Sequence, residues 1–362
     1  MRMKTSSEFS GSWSDVVGAI SSVADLEATA RSTKAFVRPR AVRSAADLLR
    51  LALMYAADGY SLRGVSAEAA MLDIAQISDV AVLNRLRNCG DWLALLLERL
   101  LAGRVGLTGD IAQGPALRLA LVDGSTISAP GSAGSDWRLH ARYEPSAGRF
   151  TDLVLTEASE AERLSCVAIT PGDVMLCDRG YARVRNFTEV REAGGHFITR
   201  IGWRSIKLFD AERNIFNPLA HLPTPGQPGI EHLVYLGPGA NAGQARLVIR
   251  PIPPEMVDRQ HARLRRQASR KSKTSDPRTF LAAGYLMLLT SLPEDLVSGD
   301  RLAALYRMRW QIELAFKRLK SIGGFADLPA VDPRLARTWL LAKLILSVLT
   351  EDLASQVLDS PP

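Results

Sequence analysis

LRLALVDGS, Leu117–Ser125, is an apolar run that stops at a carboxylate and a turn, and DVMLCDRGY, Asp173–Tyr181, repeats that design. Short runs with little polar alternation are the pattern of strands buried on both faces. Each reads as a buried strand delivering an aspartate at its end, Asp123 in the first and Asp178 in the second. A glycine follows each within two residues, which lets backbone approach a bound ion or substrate closely. Neighbouring strand ends would bring the two carboxylates within a few ångströms. Around them, GRFTDLVLTEA and RLSCVAIT read as two further strands, and VRNFTEVREAG followed by HFITRIGWR as a helix and a strand. The order is that of a mixed α/β sheet with flanking helices.

A third carboxylate lies far downstream in YRMRWQIELAFKRLK, Tyr306–Lys320. Taken as one helix, Tyr306, Arg309, Glu313 and Lys320 fall inside an arc of about 60°. Leu305, Met308, Ile312, Phe316 and Leu319 lie next to that arc, so the polar stripe borders a buried face instead of opposing it. Such a stripe suits the wall of a cleft in which Glu313 holds a metal and Arg309 and Lys320 meet phosphate. Three carboxylates converging on one point repel unless cations compensate them. Oxygen ligands without His or Cys select Mg²⁺ or Mn²⁺, and two such ions at about 4 Å are the machinery of phosphoryl transfer.

Ser44–Leu101 is helical in pattern, with SAADLLRLALMYAADG and DWLALLLERLLAG flanking YSLRGVSAEAAMLDIAQISDVAVLNRLRNCG. The middle stretch has a helix-turn-helix outline, with a turn near Asp73–Ile77 and a second helix capped by Ser78 that shows Asn84, Arg85 and Arg87. Those residues suit bases or phosphates, or a small helical domain with a solvated face. Residues 205–293 read as a β-rich insertion, with strand-like EHLVYLG, ARLVIRPIP and GYLMLLTSL. Within it, DRQHARLRRQASRKSK carries Arg259, Arg263, Arg265, Arg266, Arg270, Lys271 and Lys273, a cationic segment suited to phosphate contact. Ser269–Pro277 reads as a polar loop, and helices over Gly299–Ile322 and Pro333–Leu358 close the chain.

Composition sets the frame. The 362 residues, 47% hydrophobic, are enough for two or three folded units. A net charge of +7 favours a polyanionic partner. Cys89, Cys166 and Cys177 form no CxxC, so neither a disulfide framework nor a zinc knuckle is indicated. MRMKTSSEFSGSW lacks an apolar core of signal-peptide length, and the longest apolar run, Trp339–Leu349, is broken by Lys343. A cytoplasmic, nucleoid-associated protein without a membrane partner is expected. No GxxxxGK[ST] segment is present, which excludes a P-loop ATPase.

VDGST, CDRGYA and the Tyr-x2-Arg-x3-Glu-x6-Lys spacing of Tyr306, Arg309, Glu313 and Lys320 resemble the DDE transposases of the insertion-sequence 4 family. DWRLHARYE, the GGHFITR stretch ending at Arg200, and RWQIELAFKRLKS are similar to family segments, and the resemblance spans most of residues 45–350. It implies a ribonuclease-H-like core, residues 111–204 completed by 294–362, interrupted by the insertion 205–293 and preceded by a helical domain 1–110. Asp123, Asp178 and Glu313 would be the catalytic, metal-binding triad, and Tyr306, Arg309 and Lys320 the DNA-phosphate contacts, joined by Arg265, Arg266, Lys271 and Lys273 of the basic segment. The implied activity is cut-and-paste transposition with two Mg²⁺ or Mn²⁺ ions. The expected partners are the element's terminal inverted repeats and target DNA, with a homodimer assembled on double-stranded DNA. A nuclease without strand transfer, or a DNA-binding regulator descended from a transposase, are the competing readings. Trp203 is a candidate platform for a flipped base or a core tryptophan, and His140 a phosphate contact or a structural histidine.

Overall fold

The computed structural model describes residues 8–57, 59–102, 104, 117–270, 274, 276–321, 323–325 and 328–359. Six helices come first: α1 (Glu8–Ser21), α2 (Leu26–Ser32), α3 (Ala45–Ala57), α4 (Leu62–Met71), α5 (Asp79–Leu86) and α6 (Gly90–Ala102). Asp25, Ser61 and Ser78 sit in extended backbone before α2, α4 and α5, and each side chain accepts a backbone N–H of the first turn, at 2.9, 3.1 and 3.3 Å. Between α4 and α5 the chain turns at Asp73, whose φ is +52°.

The next segment supplies β1 (Arg118–Ile127), β2 (Trp137–Glu144), β3 (Arg149–Glu157), β4 (Asp173–Cys177), α7 (Val184–Glu192) and β5 (His196–Arg200). Their order in the sheet is β3-β2-β1-β4-β5, with β1, β4 and β5 parallel and β2 and β3 antiparallel. This is the ribonuclease-H-like arrangement. Two sequence expectations are corrected. β1 does not stop at Asp123 but continues to Ile127, because β2 still pairs with it there, Asp123 opposite Ala141 and Ile127 opposite Trp137. RLSCVAIT is no strand: it holds the short 3₁₀ turn Leu164–Cys166, and side chains satisfy the backbone after it. The Ala168 N–H donates to Asp152 Oδ2 (2.7 Å), and Arg142 Nη1 donates to the Ala168 carbonyl (2.8 Å).

Residues 205–293 form β6 (Leu208–Phe209), β7 (Ile215–Phe216), β8 (Ile230–Tyr235), β9 (Gln244–Pro251), α8 (Pro254–Arg270), α9 (Pro277–Ala283) and β10 (Tyr285–Thr290). β10 lies antiparallel beside β5, and the strands continue as β10-β9-β8-β6-β7, so the sheet has ten strands among the described residues. The basic segment is mostly helix: α8 runs to Arg270 and buries none of its residues. The chain closes with α10 (Gly299–Arg307), α11 (Trp310–Ser321) and α12 (Pro333–Asp359). The stretch read as one helix is therefore two. The Met308 and Arg309 N–H groups reach the Leu305 and Tyr306 carbonyls, at 2.9 and 3.1 Å, and these tighter i→i+3 bonds end α10 before α11 starts.

Period-two alternation buries the sheet on both faces. Leu119, Leu121, Val174 and Leu176 enter one core with Leu48, Leu97, Ile312, Phe316 and Leu344 from the helices; Ala120, Val122, Met175 and Cys177 enter the other with Phe187 and Val190 of α7. At the first residue of β4, the fully buried Asp173 carboxylate meets Arg142, also fully buried, at 2.9 Å, is reached by Arg118 Nε, and accepts the Thr170 N–H at 2.7 Å. This cluster ties β1, β2 and β4 together. Among the described residues no helix is long and apolar enough to cross a membrane.

Asp173→Ala should destabilise the fold by about 3–5 kcal/mol, because it strands the Arg142 guanidinium in the core. Arg118→Ala, removing the more exposed partner, should cost clearly less. Urea unfolding midpoints test the order, and equal midpoints for the two variants would refute this account of the cluster.

Candidate active site

Val122 and Cys177 are the last paired residues of β1 and β4, so Asp123 and Asp178 follow at the same level on adjacent parallel strands, which lie about 4.8 Å apart. Leu121 and Leu176, two positions earlier, face the core that contains Ile312 and Phe316. Alternation thus turns Asp123 toward α11, whose first turn carries Glu313. The Gly124 N–H donates to Asp123 Oδ1 (2.9 Å). Asp178 caps the 3₁₀ turn Arg179–Tyr181, its Oδ1 accepting the Gly180 N–H at 2.6 Å.

Burial pushes the Asp123 carboxyl up to about 6; the Gly124 N–H opposes the shift, the negative charges of Asp178 and Glu313 add to it, and Arg309 reduces it. The three carboxylates and one guanidinium therefore sense one another. They do not converge as expected: among the described residues no three His, Cys, Asp or Glu side chains close on a point that could hold a metal ion. Glu313 is half-exposed and accepts a short hydrogen bond from Arg309 Nη2, one turn earlier. Pairing with Arg309 offsets the repulsion that Glu313 meets from Asp123. The donor set itself, carboxylate oxygens beside a half-buried aspartate with a raised pKa, has the chemistry of a hard divalent cation site.

Glu313 borders two hollows. One, of about 330 Å³, is lined by Asp178, Arg179, Arg200, Trp203, Arg263, Tyr306 and Arg309 among others. The Arg309 guanidinium lies 5.9 Å from the Tyr306 ring centre, and burial pushes the Tyr306 phenol up to about 12. Arg200 is lowered by burial and by the charges of Arg179, Arg309 and Arg263, with Tyr306 opposing. The second hollow, of about 530 Å³, is lined by Asp123, Ser125, Glu313, Phe316, Lys317 and Lys320. Lys320 thus flanks Glu313 on the side away from Arg309 and Tyr306.

Other sequence candidates fall elsewhere. α8 turns Gln260, Arg263, Leu264 and Gln267 to the first hollow, whereas Arg265 and Arg266 are exposed outside its lining. Lys271 and Lys273 lie outside the described residues. Trp203 is half-buried and lines the hollow, with the Arg204 and Arg278 guanidinium groups over its ring at 4.4 and 4.8 Å. His140 is structural: fully buried, 3.1 Å from Thr156 Oγ1, and pushed down to about 4 by burial first and then by Arg138. Arg87 pairs with Asp332, just before α12, at 2.7 Å, and Arg85 lies over Phe36, so both are engaged within the fold. Sequence reasoning missed Arg179 and Arg200 as site residues; adjacency to Asp178 and the end position in GGHFITR were their only signals.

The Transposase DDE domain profile matches residues 114–349, and the chain belongs to this family. It is 40% identical over 358 residues to InsL of insertion sequence element IS186A from Escherichia coli strain K12, covering 97% of this chain and 96% of that protein. To the transposase for insertion sequence element IS421 of Escherichia coli it is 40% identical over 359 residues, with the same coverage. The transposase for IS231E of Bacillus thuringiensis subsp. finitimus shares 22% over 241 residues, 60% of this chain and 50% of that one. The chain is a transposase.

The raised Asp123 pKa carries a sign. A carboxyl whose folded value lies above its unfolded value favours folding at low pH, and that contribution is lost as the pH rises through about 6. Metal-free Asp123→Asn should therefore melt at a higher temperature than the parent at pH 8, with the difference shrinking as the pH falls below 6. Thermal melts in chelator at both pH values check this; a gain that is independent of pH would contradict it.

Proposed function

We propose that this transposase cuts double-stranded DNA at the terminal inverted repeats of an insertion element and joins the freed ends to target DNA. The observation that supports it most is Asp123 beside Asp178 on adjacent parallel strands, with Glu313 bordering both the hollow that Asp123 lines and the arginine-lined hollow that Asp178 lines. On this reading Asp123, Asp178 and Glu313 would hold Mg²⁺ or Mn²⁺, two ions in all, which supply activation of the attacking oxygen and stabilisation of the leaving one. The remaining chemistry belongs to the chain. Arg309, exchanging Glu313 for a phosphate, neutralises a non-bridging oxygen, and the protonated Tyr306 hydroxyl donates to a neighbouring one. Arg179, Arg200 and Arg263 concentrate positive charge that phosphate relieves. Lys320, with Lys317, meets a flanking phosphate across the second hollow.

Water attacks first at the element end, and the released 3′ hydroxyl then attacks target DNA in the same site, without a covalent protein intermediate. Residues 111–204 and 294–362 act as the catalytic core, and residues 205–293 as an extension that lays α8 along the DNA path. The helices of residues 1–110 serve DNA contact through surfaces other than Arg85 and Arg87. Two element ends must be held together for cutting and joining to be coupled, which calls for a homodimer on DNA in the nucleoid.

Purified protein incubated with Mg²⁺ and DNA bearing the flanking inverted repeats should cleave at the repeat boundary and then join. Cleavage without joining would favour a nuclease, and binding without cleavage a regulator. Asp123→Ala should abolish cleavage while leaving DNA binding intact; cleavage at the parent's rate would sink the assignment. Arg309→Ala should slow single-turnover cleavage by about 100-fold or more, as loss of a charge-stabilising donor does. Arg265→Ala and Arg266→Ala should each reduce the salt slope of binding by about 1 and leave the bound-state rate almost unchanged.

A further inference from the structure

A fourth carboxylate stands beside Asp178. Glu162, in the connection between β3 and β4, lies over the glycines that follow Asp123 and Asp178. Its Oε1 is 3.5 Å from where a Cβ on Gly124 would stand, and its Oε2 is 2.8 Å from where one on Gly180 would stand. Asp178 Oδ1 is 2.9 Å from that same Gly180 position, so the two carboxylates share one small space. Tyr181 aims its hydroxyl into it, 3.3 Å from the Gly124 position; the residue is 1% exposed and, among the described residues, the hydroxyl has no hydrogen-bond partner. A buried donor without a partner is unfavourable, and Tyr181 points this one into the space that Glu162 and Asp178 share. Glu162 Oε1 also lies 3.5 Å from Arg138 Nη1.

We propose that Glu162 is a positioning residue of the Asp123–Asp178 site, holding the hydration shell of the divalent cation from the Gly124–Gly180 side, with the Tyr181 hydroxyl donating to Glu162 once the cation is bound. The inference rests on the reading that the two aspartates hold that cation. Residues that hold a metal's outer shell typically change its affinity by about 10–100-fold. Gly124 and Gly180 have no side chain to fill the space, and the Glu162 carboxylate reaches both.

The test is Mn²⁺ binding to the purified full chain, followed by the loss of the free-ion electron paramagnetic resonance signal, with circular dichroism confirming the fold of each variant. Asp178→Asn should remove binding. Glu162→Gln should weaken it by about 10–100-fold, Glu162→Asp should fall between the two, and Tyr181→Phe should weaken it in the same direction. Arg138→Gln, which unmasks the Glu162 charge, should keep or tighten binding. The proposal is overturned if Glu162→Gln binds Mn²⁺ like the parent while Asp178→Asn does not, a result that leaves the aspartate reading standing. It is also overturned if Arg138→Gln reproduces the Glu162→Gln loss, which would make Glu162 only a salt-bridge partner. Parent-like Mn²⁺ binding by Asp178→Asn would remove the aspartate reading and this inference together.

Discussion

The register of β1 against β4 is the constraint on which the rest of the molecule depends. Arg118 pairs with Asp173 at one end of the parallel ladder and Val122 with Cys177 at the other, leaving Asp123 and Asp178 at equal height. A slip of one residue would turn the apolar set of a strand to the opposite face and carry its aspartate away from α11. The Asp173–Arg142–Arg118 cluster opposes such a slip, because a buried carboxylate displaced from its two guanidinium partners is very unfavourable. Structural ion pairing at the start of the strands thereby sets the geometry of the acidic pair at their ends.

Charge balance then organises what surrounds that pair. Asp123 is disfavoured as an anion by burial and by its acidic neighbours, while Arg200 is disfavoured as a cation by burial and by Arg179, Arg309 and Arg263. Acidic and basic groups line both hollows, Asp178 with Arg179, Arg200 and Arg263 in one and Asp123 with Lys317 and Lys320 in the other, and Arg309 pairs with Glu313 between them. On the proposed reading, a cation would relieve the repulsion among the carboxylates and a phosphate that among the guanidinium groups. The same logic extends to Glu162, a carboxylate placed where like charge accumulates.

Much of this was legible in the chain. The apolar runs ending in Asp123 and Asp178 marked buried strands, and the spacing around Glu313 marked a helix with a polar border. The cap at Ser78 was visible because an N-cap hydroxyl needs only the residues beside it. What escaped were features set by distant partners. β1 continues past Asp123 because β2 is there to pair with it, and RLSCVAIT is irregular because Asp152 and Arg142 satisfy its backbone. The break at Met308 and Arg309 was hidden by a good helical pattern on both sides of it. Glu162 escaped because nothing local distinguishes it from a solvated loop residue.

The sequence by itself determined which residues could carry the chemistry and that a mixed sheet would hold them, since apolar periodicity, capping and carboxylate type are local properties of the chain. Only the tertiary structure decided which of them meet. It set Asp123 beside Asp178 and separated Lys320 from Arg309 by placing Glu313 between two hollows. It also turned Arg263, and not Arg265 or Arg266, toward the cleft. The physical reason is that proximity across a sheet depends on strand order and register, which hydrogen bonds and buried ion pairs between distant segments select.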